Sequence, residues 1–264
     1  MTTSNTLAGR VALVTGASTG LGYAAAESLA RRGARIALNS RGGDKLEAAV
    51  DRLSASGADV AGIPGDISSL EGIEHIVAEA RGQLGEIDIL IANGGGPPVM
   101  PATEIDEKDW QKAIPLTLLF VPRLTRQVLP GMRQRLWGRI VAINSVSTRQ
   151  PIPGLALSNV LRPAVVAYLK TLSQEVAAEG VTANAVLPGY TRTERQVELA
   201  TAMAARTGQR VDDLFAETGQ AIPIGRMAEP TEIGEVVGFV CSPEASYLTG
   251  QAIAVDGGYA LNLM

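Results

Sequence analysis

The chain has 264 residues, of which 46% are hydrophobic, and a net charge of −4 with both signs interspersed. Such a length suits one large α/β domain with a sizeable core. The charge balance points to neither nucleic acid nor an anionic membrane as a partner. The single cysteine, Cys241, excludes an internal disulfide and suits a reducing compartment. The start, Met1 to Thr6, is polar and lacks an apolar signal region, so no secretory signal is expected. No apolar run reaches the ~18 residues of a bilayer span. A soluble cytoplasmic protein is the expectation.

In chain order, the apolar run Val11 to Val14 enters a glycine-rich stretch, Thr15-Gly16-Ala17-Ser18-Thr19-Gly20-Leu21-Gly22, and an alanine-rich helical pattern, Tyr23 to Arg32, leaves it. A strand that turns through glycines into a helix gathers backbone N–H groups and a positive dipole end at one spot, which favours a pyrophosphate. Gly16 takes a φ that other residues resist, Gly20 lets a phosphate approach the backbone, and Gly22 lets helix and strand pack closely. Ala34 to Asn39 is a strand, and Asp44 to Ser56 places Leu46, Ala49, Val50 and Leu53 at helical spacing. Val60 to Ile63 is a third strand ending at Gly65-Asp66, and Leu70 to Leu84 a helix with its face on Ile73, Ile76, Val77 and Ala80. The fourth strand, Ile87 to Ala92, runs into the turn cluster Gly94 to Pro98.

Two helical segments, around Ile105–Phe120 and Val121–Arg135, precede a strand at Arg139 to Asn144. A helix over Leu157 to Ala178, a strand over Thr182 to Val186 ending at Pro188-Gly189, a helix over Pro230 to Cys241 and a strand over Ala252 to Val255 complete the series. This alternation predicts βαβ units in one α/β domain over residues 1–264. Its core is a doubly wound, mainly parallel sheet of the Rossmann type, with about seven strands and helices on both faces. The stretch Thr193 to Pro223 breaks the alternation; it is charged, punctuated by Gly208 and Gly219, and carries a helical candidate at Glu194 to Arg206. Placed after a strand's carboxyl end, it reads as a lid over a ligand crevice; the alternative is a solvated surface excursion.

Across nearly its whole length the chain resembles the short-chain dehydrogenase/reductases, within them the 3-oxoacyl-carrier-protein-reductase-like group. Thr15–Gly22 resembles that family's TGxxxGxG, and Asp66 its adenine-contacting acid. Ala92-Asn93-Gly94-Gly95 is similar to its NNAG, with alanine for the first asparagine. Gly138 to Ser145 matches the strand leading to the catalytic serine, Pro188-Gly189 with Thr193 the nicotinamide-end motif, and Gly225-Arg226 and Asp256-Gly257-Gly258 the C-terminal signature. The resemblance implies hydride exchange between a nicotinamide and a small-molecule carbonyl or alcohol. The residues it marks for the cofactor are Gly16, Ser18, Thr19, Gly20, Leu21, Gly22, Ser40, Arg41, Asp66, Ile67, Asn93, Gly94, Arg162, Pro188, Gly189 and Thr193. It also implies a homotetramer (or dimer), assembled through the Val165–Ala178 helix and the apolar end Tyr259 to Met264.

At the end of the second strand an acid would bind ribose hydroxyls and repel a 2′-phosphate. That position is Ser40, followed by Arg41, a neutral hydroxyl beside a guanidinium that accepts a dianionic phosphate. NADP(H) is therefore expected over NAD(H).

The catalytic positions depart from the pattern. Ser145 matches the family's serine, but Ser158 stands where its tyrosine is expected, Arg162 where its lysine is expected, and Thr117 where its asparagine is expected. Ser158 and Arg162 keep the four-residue spacing that puts both on one helix face. Tyr168 has no lysine four residues on, and Lys170, two residues away, points elsewhere. Pro163 either kinks this helix or sits in its first turn. Serine's hydroxyl is a far weaker acid than tyrosine's and arginine does not shuttle protons, so the pair suits binding better than acid/base work. Ser145 and Ser158 can both donate to a carbonyl oxygen, and Arg162 can hold the nicotinamide ribose or an anionic substrate group. Water or Tyr190 would then supply the proton, unless Tyr190 merely packs under the lid. His75, the sole histidine, belongs to a helix surface, Cys241 is a buried filler, and no Cys/His cluster indicates a metal.

Three readings follow: an NADP(H)-dependent reductase with altered acid/base residues, a nucleotide-binding sensor or partner subunit with little turnover, or a non-redox lyase or isomerase.

Overall fold

The structure is a computed structural model and describes residues 5–262. Seven parallel strands form one sheet in the order β3-β2-β1-β4-β5-β6-β7. They are β1 (Val11–Val14), β2 (Arg35–Ser40), β3 (Val60–Pro64), β4 (Ile89–Ala92), β5 (Gly138–Ile143), β6 (Val181–Pro188) and β7 (Ala252–Val255). The inner strands β1, β4, β5 and β6 are buried along their full length, which is why they read as continuous apolar runs. Strand order reverses between β1 and β4, which pair in parallel with Ala12 opposite Ile89 and Val14 opposite Ile91. The carboxyl ends of these two strands therefore border a crevice at the switch point.

One face of the sheet is covered by α3 (Leu70–Leu84), α5 (Phe120–Gln134) and α6 (Ala156–Val176), the other by α1 (Gly20–Arg31), α2 (Asp44–Ala55) and α9 (Pro230–Cys241). The alanines of α1 have a specific purpose. They let α9 come so near that a Cβ on Gly234 would lie 2.4 Å from the Ala24 carbonyl oxygen. At the amino end of the sheet, Asp88 accepts the Val11 N–H at 3.1 Å and pairs with Arg10 and Arg135. Beside it, Arg10 and Arg139 both lie over the Trp137 ring, at 3.8 and 4.4 Å.

Several element boundaries differ from the sequence expectation. Helix α1 starts at Gly20, inside the glycine loop, rather than at Tyr23. The Ile105–Phe120 pattern is not one helix: a short 3₁₀ turn at Ala102–Glu104 precedes α4 (Glu107–Ile114), which Asp106 caps, and a π turn spans Pro115–Leu119 before α5. Pro115 has no N–H to continue the i→i−4 ladder, and the wider turn absorbs the break. Pro163 lies well inside the unbroken α6, so the first-turn alternative does not hold. The Thr193–Pro223 stretch is mostly helical, as α7 (Glu194–Thr207) and α8 (Val211–Gln220). The sequence expectation placed no helix at α8, although Val211, Leu214 and Phe215 stand at helical spacing on its half-buried face. Leu263 and Met264, named above for the assembly, lie outside the described residues.

Leu90 in β4 is fully buried between the layers. Leu90→Ala is expected to lower the unfolding free energy by about 2–5 kcal/mol, read as a lower urea midpoint at unchanged slope.

Candidate active site

The crevice is built from the ends of β1 and β4. Thr15, fully buried, donates its hydroxyl to the Asn93 carbonyl at 2.7 Å and accepts the Asn93 N–H at 3.0 Å. The Asn93 side-chain amide reaches back to the carbonyls of Thr15 and Gly16, at 3.2 and 3.0 Å. Asn93 thus positions the glycine loop, and its amide protons are spent on that task. Gly16 and Gly20 have φ of +57° and +59°, the left-handed region that glycine occupies freely. Gly22, inside α1, makes room for a close approach to the ends of β1 and β4: a Cβ there would lie 2.4 Å from the Gly16 carbonyl oxygen and 2.8 Å from Asn93 Nδ2. Thr19 caps α1 without a side-chain hydrogen bond, and no acid lies in the first turn. The first N–H groups of α1, beside half-buried Ser18 and Leu21, are left to a ligand carrying negative charge.

At the far end of the crevice, Ser40 closes β2 and its Oγ accepts the Gly42 N–H at 3.3 Å. Arg41 is exposed beside it. Asp66 is exposed with Oδ1 accepting the Ser68 N–H at 2.9 Å, while the Ile67 side chain belongs to the core, which leaves its backbone for the crevice.

The other end gathers the chemically suggestive groups. Ser145 follows β5, half-buried, and its Oγ accepts the Ser147 N–H at 3.1 Å. Ser158, 6% exposed, lies on α6 one turn before Arg162. Arg162 and Asn144 lock each other: Arg162 Nη1 donates to Asn144 Oδ1 at 3.3 Å and Asn144 Nδ2 donates to the Arg162 carbonyl at 3.0 Å. No sequence signal marked Asn144 beyond its place at the end of a strand. Burial holds the Arg162 guanidinium down at about 10, so it stays charged at neutral pH. Thr117 lies in the π turn, buried, with its hydroxyl unpartnered.

Tyr190 follows Pro188 and Gly189, and its ring meets Tyr259 edge-on with centroids 5.1 Å apart. Burial, reinforced by the Tyr259 hydroxyl, pushes the Tyr190 phenol up to about 12. That makes it a poor proton donor near neutrality and favours the packing role. Overhead, Thr193 caps α7 and sits 3.6 Å from where a Gly20 Cβ would be. Glu194 of α7 pairs with Lys45 of α2 at 2.7 Å, which ties the Thr193–Pro223 stretch to α2. His75 is exposed on α3, and Cys241 is fully buried in α9 with its thiol pushed up to about 12. Among the described residues no group of His, Cys, Asp and Glu is arranged to hold a metal, and no helix is long and apolar enough to cross a membrane.

A family model described as enoyl-(acyl carrier protein) reductase matches residues 16–260. The chain belongs to the short-chain dehydrogenase/reductase family. Within that family it is 34% identical over 257 residues to the oxidoreductase UcpA of Salmonella typhimurium, covering 97% of this chain and 96% of the relative. It is 33% identical over 250 residues to a 3-oxoacyl-[acyl-carrier-protein] reductase of Escherichia coli, covering 95% and 97%. Among solved structures, L-sorbose reductase of Gluconobacter frateurii, complexed with NADPH and L-sorbose, superposes with a TM-score of 0.94 at 32% identity over the whole of both chains. A variant of actinorhodin polyketide ketoreductase with NADPH does so with a TM-score of 0.91, also at 32% identity, covering 96% of this chain and 98% of that one.

A raised phenol is protonated through neutral pH. The absorbance difference between wild type and Tyr190→Phe is therefore expected to stay flat until pH approaches about 12. A difference that titrates near neutrality would restore Tyr190 as the proton donor.

Proposed function

We propose that the chain is an NADP(H)-dependent oxidoreductase that interconverts a carbonyl and an alcohol on a small molecule, with altered acid/base residues. One observation carries this reading. The uncapped, acid-free start of α1, the pair Ser40-Arg41 ending β2, and Ser145 after β5 all stand at the carboxyl end of one parallel sheet, the end at which such sheets take ligands. The donor set fits a phosphorylated dinucleotide. The α1 N–H groups take the pyrophosphate, Ser40 and Arg41 the 2′-phosphate, and Asp66 with the Ile67 backbone the adenine. Gly94, Pro188, Gly189 and Thr193 border the nicotinamide end. The bound nucleotide supplies the hydride.

The chain's own residues do the rest. Ser145 and Ser158 donate to the carbonyl oxygen and stabilise the negative charge that grows there. Arg162, held by Asn144, offers a fixed fork to the nicotinamide ribose hydroxyls. None of these groups is poised to give up a proton near neutral pH, so water delivers it to the alkoxide. That same feature favours a second reading, in which the chain binds the nucleotide as a sensor or partner subunit with little turnover; a non-redox lyase or isomerase uses the same crevice. The reading extends to a cytoplasmic homotetramer or dimer. An apolar groove of about 500 Å³ between α5 and α6, lined by Leu129, Tyr168 and Leu172, offers the paired-helix surface, and light scattering gives the mass.

Arg41→Ala is expected to raise the NADPH dissociation constant about 10- to 100-fold, as loss of one charged hydrogen-bond donor does, while NADH binding stays unchanged. Equal losses for both nucleotides would remove the 2′-phosphate role. NADPH absorbance followed with a panel of ketones, beside calorimetric binding, tests the reaction. Slow turnover is expected, accelerated in the double variant Ser158→Tyr with Arg162→Lys. Tight binding with no turnover in either protein would leave the sensor reading.

A further inference from the structure

Four segments are fastened to one another beside the candidate serines, and none carries an acidic or basic side chain. They are residues 94–103 after β4, 150–161 between β5 and the first turns of α6, 222–225 after α8, and 257–262 after β7. The Met100 N–H donates to the Gly154 carbonyl at 2.8 Å and the Ile224 N–H to the Gly257 carbonyl at 3.2 Å. The Leu261 N–H donates to Gln150 Oε1 at 2.9 Å. Within the second segment, Asn159 Nδ2 donates to the Ile152 carbonyl at 3.0 Å and Asn159 Oδ1 accepts the Ile152 N–H at 3.2 Å, which fixes the turn before α6. Ser145 stands just ahead of that segment and Ser158 lies inside it, one turn after Leu155.

The joined segments form an apolar collar. Val99 is 51% exposed, Ile224 61% and Leu261 84%, and Ile152 and Leu155 are half-buried. Exposed apolar residues gathered in this way, rather than scattered, mark a ligand or partner surface. The collar has nothing to offer a charge. Of the cations that flank it in sequence, Arg149 donates to the Ala252 carbonyl at 2.6 Å and Arg162 is held by Asn144. Its amides, Gln150 and Asn159, are already spent on backbone groups. A carboxylate or a row of hydroxyls laid here would lose water and gain no partner. We propose that the site takes an uncharged carbonyl compound with an apolar arm, its carbonyl at Ser145 and Ser158 and its arm along Val99, Leu155 and Leu261. This substrate class rests on the carbonyl–alcohol reading above.

Ligand-observed NMR on the full chain with NADP⁺ tests it, because the oxidised nucleotide cannot reduce a ketone and binding is read alone. The probes are 2-octanone, 7-oxooctanoate, which adds only a carboxylate at the far end of the arm, and D-fructose. The neutral ketone is expected to bind at least about 10-fold more tightly than either of the others. Val99→Lys, at an exposed loop position, is expected to tighten 7-oxooctanoate severalfold and to leave NADP⁺ binding unchanged. Equal or tighter binding of the keto acid or the sugar in the wild type would overturn the proposal. So would a carboxylate that ignores Val99→Lys. Absorbance of NADPH with the same three compounds separates the two claims. The expected order of affinities without turnover would sink the reductase reading and uphold the ligand class, whereas faster turnover of the keto acid or the sugar would do the reverse.

Discussion

The crevice depends on a single junction, the cross-strand staple between Thr15 and Asn93. Parallel strands leave their carboxyl ends without a hairpin to join them, so β1 and β4 need another tie where their loops diverge. The Thr15 hydroxyl both donates to and accepts from the Asn93 backbone, and the Asn93 amide holds the Thr15 and Gly16 carbonyls. With those carbonyls held by Asn93 and the Ala17 N–H donating to the Asn39 carbonyl at 2.8 Å, the glycine loop is tied to the ends of both β4 and β2. The left-handed φ at Gly16 and Gly20 and the close approach at Gly22 are consequences of the same local geometry. Everything else at the site is hung from strand ends that this junction fixes.

A second tie, Asn144 with Arg162, does for the other end of the crevice what the first does for the loop. It joins the end of β5 to α6 and so sets where a rigid, permanently charged fork points. A lysine would offer a point charge on a flexible stem that could trade its proton. An arginine gives orientation at the cost of that exchange. On the proposed reading such a site would hold and polarise a substrate rather than trade protons with it, and Tyr190, its phenol pushed up by burial, does not supply the exchange.

The sequence showed the sheet almost completely, because strands buried on both sides leave uninterrupted apolar runs that few other structures produce. Val11–Val14 and Ala252–Val255 coincide with β1 and β7, and Leu70–Leu84 with α3. The conformation of the glycine loop was equally legible, since Gly16 and Gly20 take the left-handed φ that glycine favours. What the sequence hid were features set by pairing in space. Asn93 read as a ligand-contacting residue, yet its amide serves the loop. Asn144 carried no signal, because its partner lies on a different element. The π turn escaped notice since Ile105 to Phe120 keeps a plausible helical pattern across Pro115, and α8 escaped because its stripe of Val211, Leu214 and Phe215 spans little more than one turn.

The two tryptophans stand in very different surroundings. Trp137, at the amino end of the sheet, is clasped by the guanidinium groups of Arg10 and Arg139, next to the cluster around Asp88. Trp110 packs with Leu157 and Leu161 on the helical wall that carries Ser158. The molecule therefore carries two intrinsic fluorophores assigned to separate jobs. One reports whether the base of the sheet is intact, and the other senses the wall of the crevice. Emission from single-tryptophan forms thus separates local loosening around α4 and α6 from loss of the whole fold.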